Sequence, residues 1–263
     1  MYHALTCEKD ENIEPILKQL DKENIEYQLQ PTEVGQHLYL ADETFVEPVK
    51  SFYLNYKAST QRTLSISNMK KVPLTVTVLL AVFFGALVTQ LGADNREWFF
   101  IADFSYSPPQ WWLYDWPQQA WFSISPIFLH FGVEHIIFNS LAFWYLSSVL
   151  ERELGKPVWV AGILVLALVS NYAQLLTSGP LFGGLSGVVY GLIAFAWVYQ
   201  STVRHLFIPN GLFYLASGWL ILGYTPFFTW IGMGSMANTA HLSGLLCGFA
   251  WFLIYRTIYW MKS

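Results

Sequence analysis

A chain of 263 residues that is 54% hydrophobic and 18% aromatic, with only 12% charged, is too apolar for a soluble protein of this size and reads as a polytopic membrane protein. The charge is uneven: residues 1–57 hold 11 Asp or Glu against 5 Lys, net −6, which argues against nucleic acid as a partner, and the rest holds 7 acids and 9 bases. Met1-Tyr2-His3-Ala4-Leu5-Thr6-Cys7-Glu8 turns acidic without an apolar stretch and so is no signal peptide, and the two cysteines, Cys7 and Cys247, imply no disulfide framework.

Residues 1–57 read as a small soluble α+β domain. Tyr2–Thr6 has strand character, and residues 12–24 carry Ile13, Ile16, Leu17 and Leu20 on one helical stripe. Residues 25–30 and 37–40 read as strands about a turn at Gly35. Residues 44–56 predict a second helix, with Thr44 as N-cap and Glu47 three residues on. No catalytic constellation falls here. Residues 58–71, rich in Ser, Thr and Asn and closed by Lys70-Lys71, read as a linker.

Residues 72–258 then predict six spans. Residues 72–93 are uncharged and make the first. Residues 94–126 hold Trp98, Trp111, Trp112, Trp116 and Trp121, and such aromatics concentrate where rings meet headgroups, so this loop is expected partly in the outer interface. The second span covers about residues 132–150. From Pro157 to Val203 there are 47 residues without an Asp, Glu, Lys or Arg, while one helical span needs only about 20. That run holds spans three (157–176) and four (186–200), broken at Thr177-Ser178-Gly179-Pro180. The fifth covers 211–229 and the sixth 238–255. Lys70, Lys71, Arg152, Lys156, Arg204, Arg256 and Lys262 fall on one side and only Arg96 on the other, so both termini are expected in the cytoplasm.

The stretch Phe182-Gly183-Gly184-Leu185-Ser186-Gly187 places a serine at the opening of span four, near the outer face. From Ser186 to Gln200 the helix covers only about 22 Å against roughly 30 Å of hydrocarbon. Irregular backbone at that depth survives where it lines a protein or water-filled cavity. His241 lies near the outer end of span six, so the two can share a depth. Gly187 and Gly191 on one span, and Ala240, Gly244 and Gly248 on the other, form small-residue stripes that let two helices approach closely. A Ser186–His241 hydrogen bond would then activate the serine by general-base catalysis. Tyr190, one turn further, could fix the histidine ring. His135 and Asn139 share one face of span two and could supply an oxyanion hole with a backbone N–H at Ser186. Ser178 could help line a path for water.

Blander readings stand beside these. A serine in a Gly-rich helix start is by default a cap or packing residue, and an intramembrane histidine is often a polar packing or proton-relay group. Convergence of both stripes at one depth favours the catalytic reading. His130, Glu134 and His135 form a sparse metal alternative without a clear further ligand. Cys247 reads as a small hydrophobe and Cys7 has no obvious base.

Taken in order, the His135-x-x-x-Asn139 pair, the Gly184-Leu185-Ser186-Gly187 box and the Ala240-His241-x-x-Gly244-x-x-x-Gly248 stripe resemble the rhomboid intramembrane serine proteases. With its soluble front domain the chain is similar to the bacterial GlpG type of that family. The resemblance implies a six-helix membrane core behind a small cytosolic α+β domain, in the bacterial inner membrane and opening toward the periplasm. It implies Ser186 as nucleophile, His241 as base, His135, Asn139 and the Ser186 N–H at the oxyanion, and Tyr190 stacked on the base, with Gly184, Gly187, Gly191 and Gly244 in support. It further implies no metal or other cofactor, and single-span membrane proteins cut near the outer face as substrates. Glu151 with Arg152 matches the family's polar contact at the base of span two. Two departures are Phe122 after Trp121, where the family often carries Trp-Arg, and Glu134, commonly apolar. A catalytically inactive rhomboid-like protein that binds membrane clients is the alternative, though the presence of both Ser186 and His241 argues against it. A small proton-coupled transporter is a third reading, with no deep acid to relay the proton.

Overall fold

The structure, a computed structural model, describes residues 1–8, 13–32, 35–62, 69–100, 116–203, 206, 208–232 and 236–260. It divides into two compact units, Met1–Ser65 and Ile66–Ser263. Trp111, Trp112, Arg204 and Lys262, used above for the loop and the orientation, lie outside the described residues.

The front unit runs β1 (Tyr2–Glu8), α1 (Glu14–Lys22), β2 (Tyr27–Pro31), β3 (Gly35–Leu40) and α2 (Val46–Arg62). Its three strands lie in the order β1-β3-β2, each neighbouring pair antiparallel. Ile13, Ile16 and Leu20 on the first helical stripe and Val49, Tyr53 and Tyr56 on the second are buried, as are Leu38 and Leu40 of the central strand. Two expectations change. Thr44 is not the N-cap: Asp42 accepts from the Thr44 backbone N–H at 2.9 Å and from its hydroxyl at 2.8 Å, opening a 3₁₀ turn, Glu43–Phe45, ahead of α2. Those bonds hold the exposed Asp42 carboxyl below its ordinary pKa. Residues 58–62, read as linker, continue α2, and residues 63–68 lie outside the described residues.

The second unit is built from α3 (Pro73–Val88), α4 (Trp116–Ile124), α5 (Val133–Leu154), α6 (Lys156–Ser178), α7 (Ser186–Thr202), α8 (Asn210–Gly223), the short α9 (Phe227–Trp230) and α10 (Asn238–Trp260). The six long helices match the six expected spans, so the chain is an all-α membrane core with a small α+β unit in front. Among the described residues, α6 and residues 238–258 of α10 are each long and apolar enough to cross a bilayer unaided, and α4 with α5 forms a pair bent by 99°. The apolar α3, 16 residues, reaches about 24 Å.

The centre of this unit is α7. Every residue from Gly187 to Ala196 is buried, the mark of a helix surrounded by others. Glycine sets how closely α10 approaches it. A Cβ on Gly244 would collide with the Gly187 carbonyl, and one on Gly248 with that of Gly191, so the two backbones touch where the stripes meet. Below that seam Phe195 packs on Trp251, Phe252 and Tyr255.

A hydrogen-bonded chain ties α3 to α5. The buried Glu151 accepts from the Leu74 and Thr75 backbone N–H groups at 3.0 and 2.7 Å and from the Thr75 hydroxyl at 2.7 Å. With the Thr75 hydrogen committed to the carboxylate, Ser147 donates to Thr75 Oγ1 at 2.7 Å and accepts from Trp159 Nε1 at 3.1 Å. A carboxylate on the free N–H groups of a helix start is favourable by charge and dipole together. The described start of the loop after α3, residues 89–100, is tied to α4 by aromatics. Trp121 Nε1 donates to the Trp98 carbonyl at 2.8 Å and its ring stacks on Phe128, 6.0 Å between centroids. Phe122, at the site of the Trp-Arg departure, lines an apolar cavity of about 460 Å³ beside them.

Two spans end earlier than expected. α3 stops at Val88 rather than residue 93 because Gln90 and Leu91 turn left-handed, φ 48° and 56°, and the Leu91 N–H closes back on the Ala86 carbonyl at 2.8 Å. The fifth span stops at Gly223, and Pro226 separates it from the one-turn α9.

Candidate active site

The loop entering α7 is pressed onto the 3₁₀ turn Ser125–Phe128. The Gly184 N–H donates to the Pro126 carbonyl at 2.9 Å, and a Cβ on Gly183 would stand 2.8 Å from Leu129. Gly184 has φ +126°, a conformation only glycine adopts freely, and a Cβ there would sit 2.7 Å from His135 Nε2 and 3.6 Å from Asn139 Nδ2. Glycine at 184 therefore lets two side chains of α5 reach the backbone two residues before Ser186. Next, the chain turns helical at Ser186 itself, and the first N–H groups of a helix have no partner within it.

His241 lies in the first turn of α10, 3% exposed. Its Nε2 is 2.7 Å from Ser186 Oγ. The ring stacks on Tyr190 with centroids 4.7 Å apart and planes 23° from parallel. The Tyr190 hydroxyl donates to the Ala216 carbonyl of α8 at 2.9 Å, so the stacking platform is itself fixed. Where Ser186 donates, Nε2 accepts, and the imidazole proton resides on Nδ1, which is buried without a partner among the described residues. A hydroxyl bonded to a clamped neutral imidazole has the geometry of an activated nucleophile.

His135 and Asn139 share a face of α5, as their spacing predicts. His135 Nδ1 accepts from the Phe131 N–H at 3.4 Å, which leaves Nε2 as donor on the Gly184 side. Asn139 Nδ2 is buried and unpaired among the described residues. Two N–H donors thus stand by the loop that leads into Ser186. Elsewhere, Ser178 is exposed at the end of α6, and Glu134 is exposed on α5. The His130 and His135 rings lie 4.9 Å apart, but among the described residues no three His, Cys, Asp or Glu side chains gather as a ligand set.

Sequence reasoning missed three supports. Gln174 on α6 accepts from the Ala240 N–H at 3.0 Å and so holds the α10 start. Asn238 Nδ2 donates to the Gly223 carbonyl. The Pro126 carbonyl holds Gly184. Two of these contacts use backbone carbonyls, which carry no residue signature; the buried Gln174 in an apolar run is a signal that could have been followed.

This fold and site define a known class. The family model described as the Rhomboid domain matches residues 117–258, and the chain belongs to the rhomboid family. It is similar to proteins named rhomboid protease GlpG: that of Serratia proteamaculans (strain 568) is 44% identical over 146 residues, 52% of this chain and 51% of that protein. That of Salmonella choleraesuis (strain SC-B67) is 41% identical over 134 residues, 50% and 47% of the two chains. The chain spans about half the length of the curated relatives it matches.

Proposed function

We propose that this chain is an intramembrane serine endopeptidase that works by a Ser186–His241 dyad. The observation that carries the reading is the 2.7 Å contact between Ser186 Oγ and His241 Nε2, on a ring stacked against Tyr190. Membership in a family whose similar relatives are named as proteases supports it.

In this reading His241 takes the Ser186 proton as the hydroxyl attacks the scissile carbonyl. The charge that develops on the carbonyl oxygen is met by Asn139 Nδ2–H, His135 Nε2–H and the Ser186 N–H, donors fixed before the reaction begins. His241 then gives its proton to the leaving amine, and water admitted to the site releases the acyl group by the same path in reverse. The substrates are single-span membrane proteins, cut near the outer face at a small side chain. The membrane is the bacterial inner membrane, with both termini cytoplasmic and the site open toward the periplasm, as the basic residues of residues 70–71, 152, 156 and 256 favour. Residues 1–57 form the cytosolic domain and 72–258 the protease core.

The test is labelling and cleavage in one membrane preparation. A fluorophosphonate probe should label wild type, and Ser186→Ala should lose both the label and cleavage of a single-span substrate. Retained cleavage in Ser186→Ala overturns the proposal. A folded wild type that neither labels nor cleaves would favour the inactive, client-binding reading.

A further inference from the structure

The outer face of the front sheet carries a polar cluster for which proteolysis has no use. β3 alternates, with Leu38 and Leu40 fully buried and His37 and Tyr39 on the opposite face. In β1 the pairing register slips between His3 and Leu5. The slip lets Ala4 and Leu5 both bury, and it sets His3 and Thr6, three residues apart, on the same exposed face. Strict alternation would send one of them inward. Bulges of this kind re-aim side chains. The result is that His3 pairs opposite Tyr39, and Thr6 opposite His37.

Three polar atoms then meet. Thr6 Oγ1 is 3.0 Å from His3 Nε2 and 3.0 Å from His37 Nδ1, and the two ring nitrogens are 3.3 Å apart. The Tyr39 ring meets the His3 ring edge to face at 5.3 Å and limits its rotation. The hydroxyl has one hydrogen to give and two imidazole nitrogens facing it. Tetrahedral zinc, at Zn–N distances of about 2.0–2.1 Å, holds two imidazole nitrogens about 3.3 Å apart. That is the spacing already present.

We propose that His3 Nε2 and His37 Nδ1 form a two-point chelating site for a divalent transition ion of zinc's kind. Water completes the ion's shell, and the Thr6 hydroxyl hydrogen-bonds beside it. Because only two imidazoles contribute, the affinity falls in the micromolar range rather than that of a four-ligand structural site. The order of affinities follows the imidazole preference of first-row ions, with Cu²⁺ tighter than Zn²⁺.

The experiment uses the full chain in detergent, without a histidine tag. Titration with Zn²⁺ should show a micromolar site in wild type that weakens about tenfold or more in His3→Gln and in His37→Gln. With Cu²⁺ as probe, and the Met1 amine acetylated so that it does not chelate with His3, electron paramagnetic resonance of the wild type should show coupling to two imidazole nitrogens, and each variant to one. Unchanged protease-digestion patterns establish that the variants fold. Equal zinc binding in wild type and both variants overturns the proposal, as does wild-type Cu²⁺ bound through other than two imidazoles. The copper spectrum decides the matter even where a variant fails to fold.

Discussion

In each unit of the chain a hydroxyl meets an imidazole. Thr6 Oγ1 lies 3.0 Å from a histidine nitrogen on either side, and Ser186 Oγ lies 2.7 Å from one. The front pair sits on an open sheet face, where its hydroxyl is shared and water competes for every lone pair. The core pair has one acceptor, on a ring that is buried and stacked on Tyr190, and its two residues are carried by two helices in backbone contact. Ser186 also opens a helix, with His135 and Asn139 near the backbone just before it. Proximity is common to both sites. What separates them is an unshared acceptor, a fixed ring and side-chain donors held beside the backbone that leads into Ser186.

The sharpest break of this comparison swaps the hydroxyls' fates. Ser186→Ala should lower cleavage by about 10⁴-fold or more and abolish probe labelling, and His241→Ala should do nearly as much. Thr6→Val should leave both readouts at wild-type level. Loss of cleavage in Thr6→Val would mean the front cluster acts on the reaction and the contrast is drawn in the wrong place.

Next comes the helix seam. Gly244→Leu forces a side chain into the Gly187 carbonyl, one residue past the α7 start. Overpacking of this sort costs about 1–3 kcal/mol, and a misplacement of about 1 Å can cost about 10²-fold in rate. Gly191→Leu meets Leu166, a side chain that can yield, so it should cost less. Thermal unfolding in detergent with parallel kinetics tests both. Equal, wild-type behaviour would remove the claim that backbone contact sets the dyad.

Asn139→Ala should act more mildly, because His135 and the Ser186 N–H remain. A lone oxyanion donor is worth about 10²–10³ in kcat, and sharing should reduce the loss to about 10- to 100-fold. The variant should still take the fluorophosphonate label, since Ser186 and His241 are untouched. Loss of the label would instead indicate that Asn139 holds the site together.

The legible and illegible parts of the chain divide along physical lines. Ser186 as the first residue of α7 follows from glycines and a proline ahead of an apolar run, and the two small-residue stripes follow from spacing, while the pairing of Gly187 with Gly244 and of Gly191 with Gly248 comes from the packing. The first two are local or periodic signals. Pro226 also announced the end of α8, and the long apolar run 211–229 masked it. The end of α3 was hidden because two non-glycine residues, Gln90 and Leu91, adopt positive φ. Asp42 displaced Thr44 as cap because either side chain suits that place and only the backbone path chooses. The front bulge that aligns His3 with Thr6 depends on pairing with β3, which no window of β1 reveals.

The smallest expected effect is the one that tests the division into units. The chain separates between Ser65 and Ile66, and the Ser186–His241 pair with its supports lies wholly in the second unit. The first helix of that unit, α3, is secured inside it by Glu151, which occupies the N–H groups of Leu74 and Thr75. Removing residues 1–65 therefore leaves every bond of the site and the clasp on α3 in place. The truncated chain should purify as a folded core, label with the probe and keep its kcat/KM in detergent. A truncated core that fails to fold would place part of the core's stability in the front unit. A core that folds but neither labels nor cleaves would show that front residues shape the dyad. In either case the two hydroxyl–imidazole pairs would no longer be independent, and the contrast between them would have to be drawn across the whole chain.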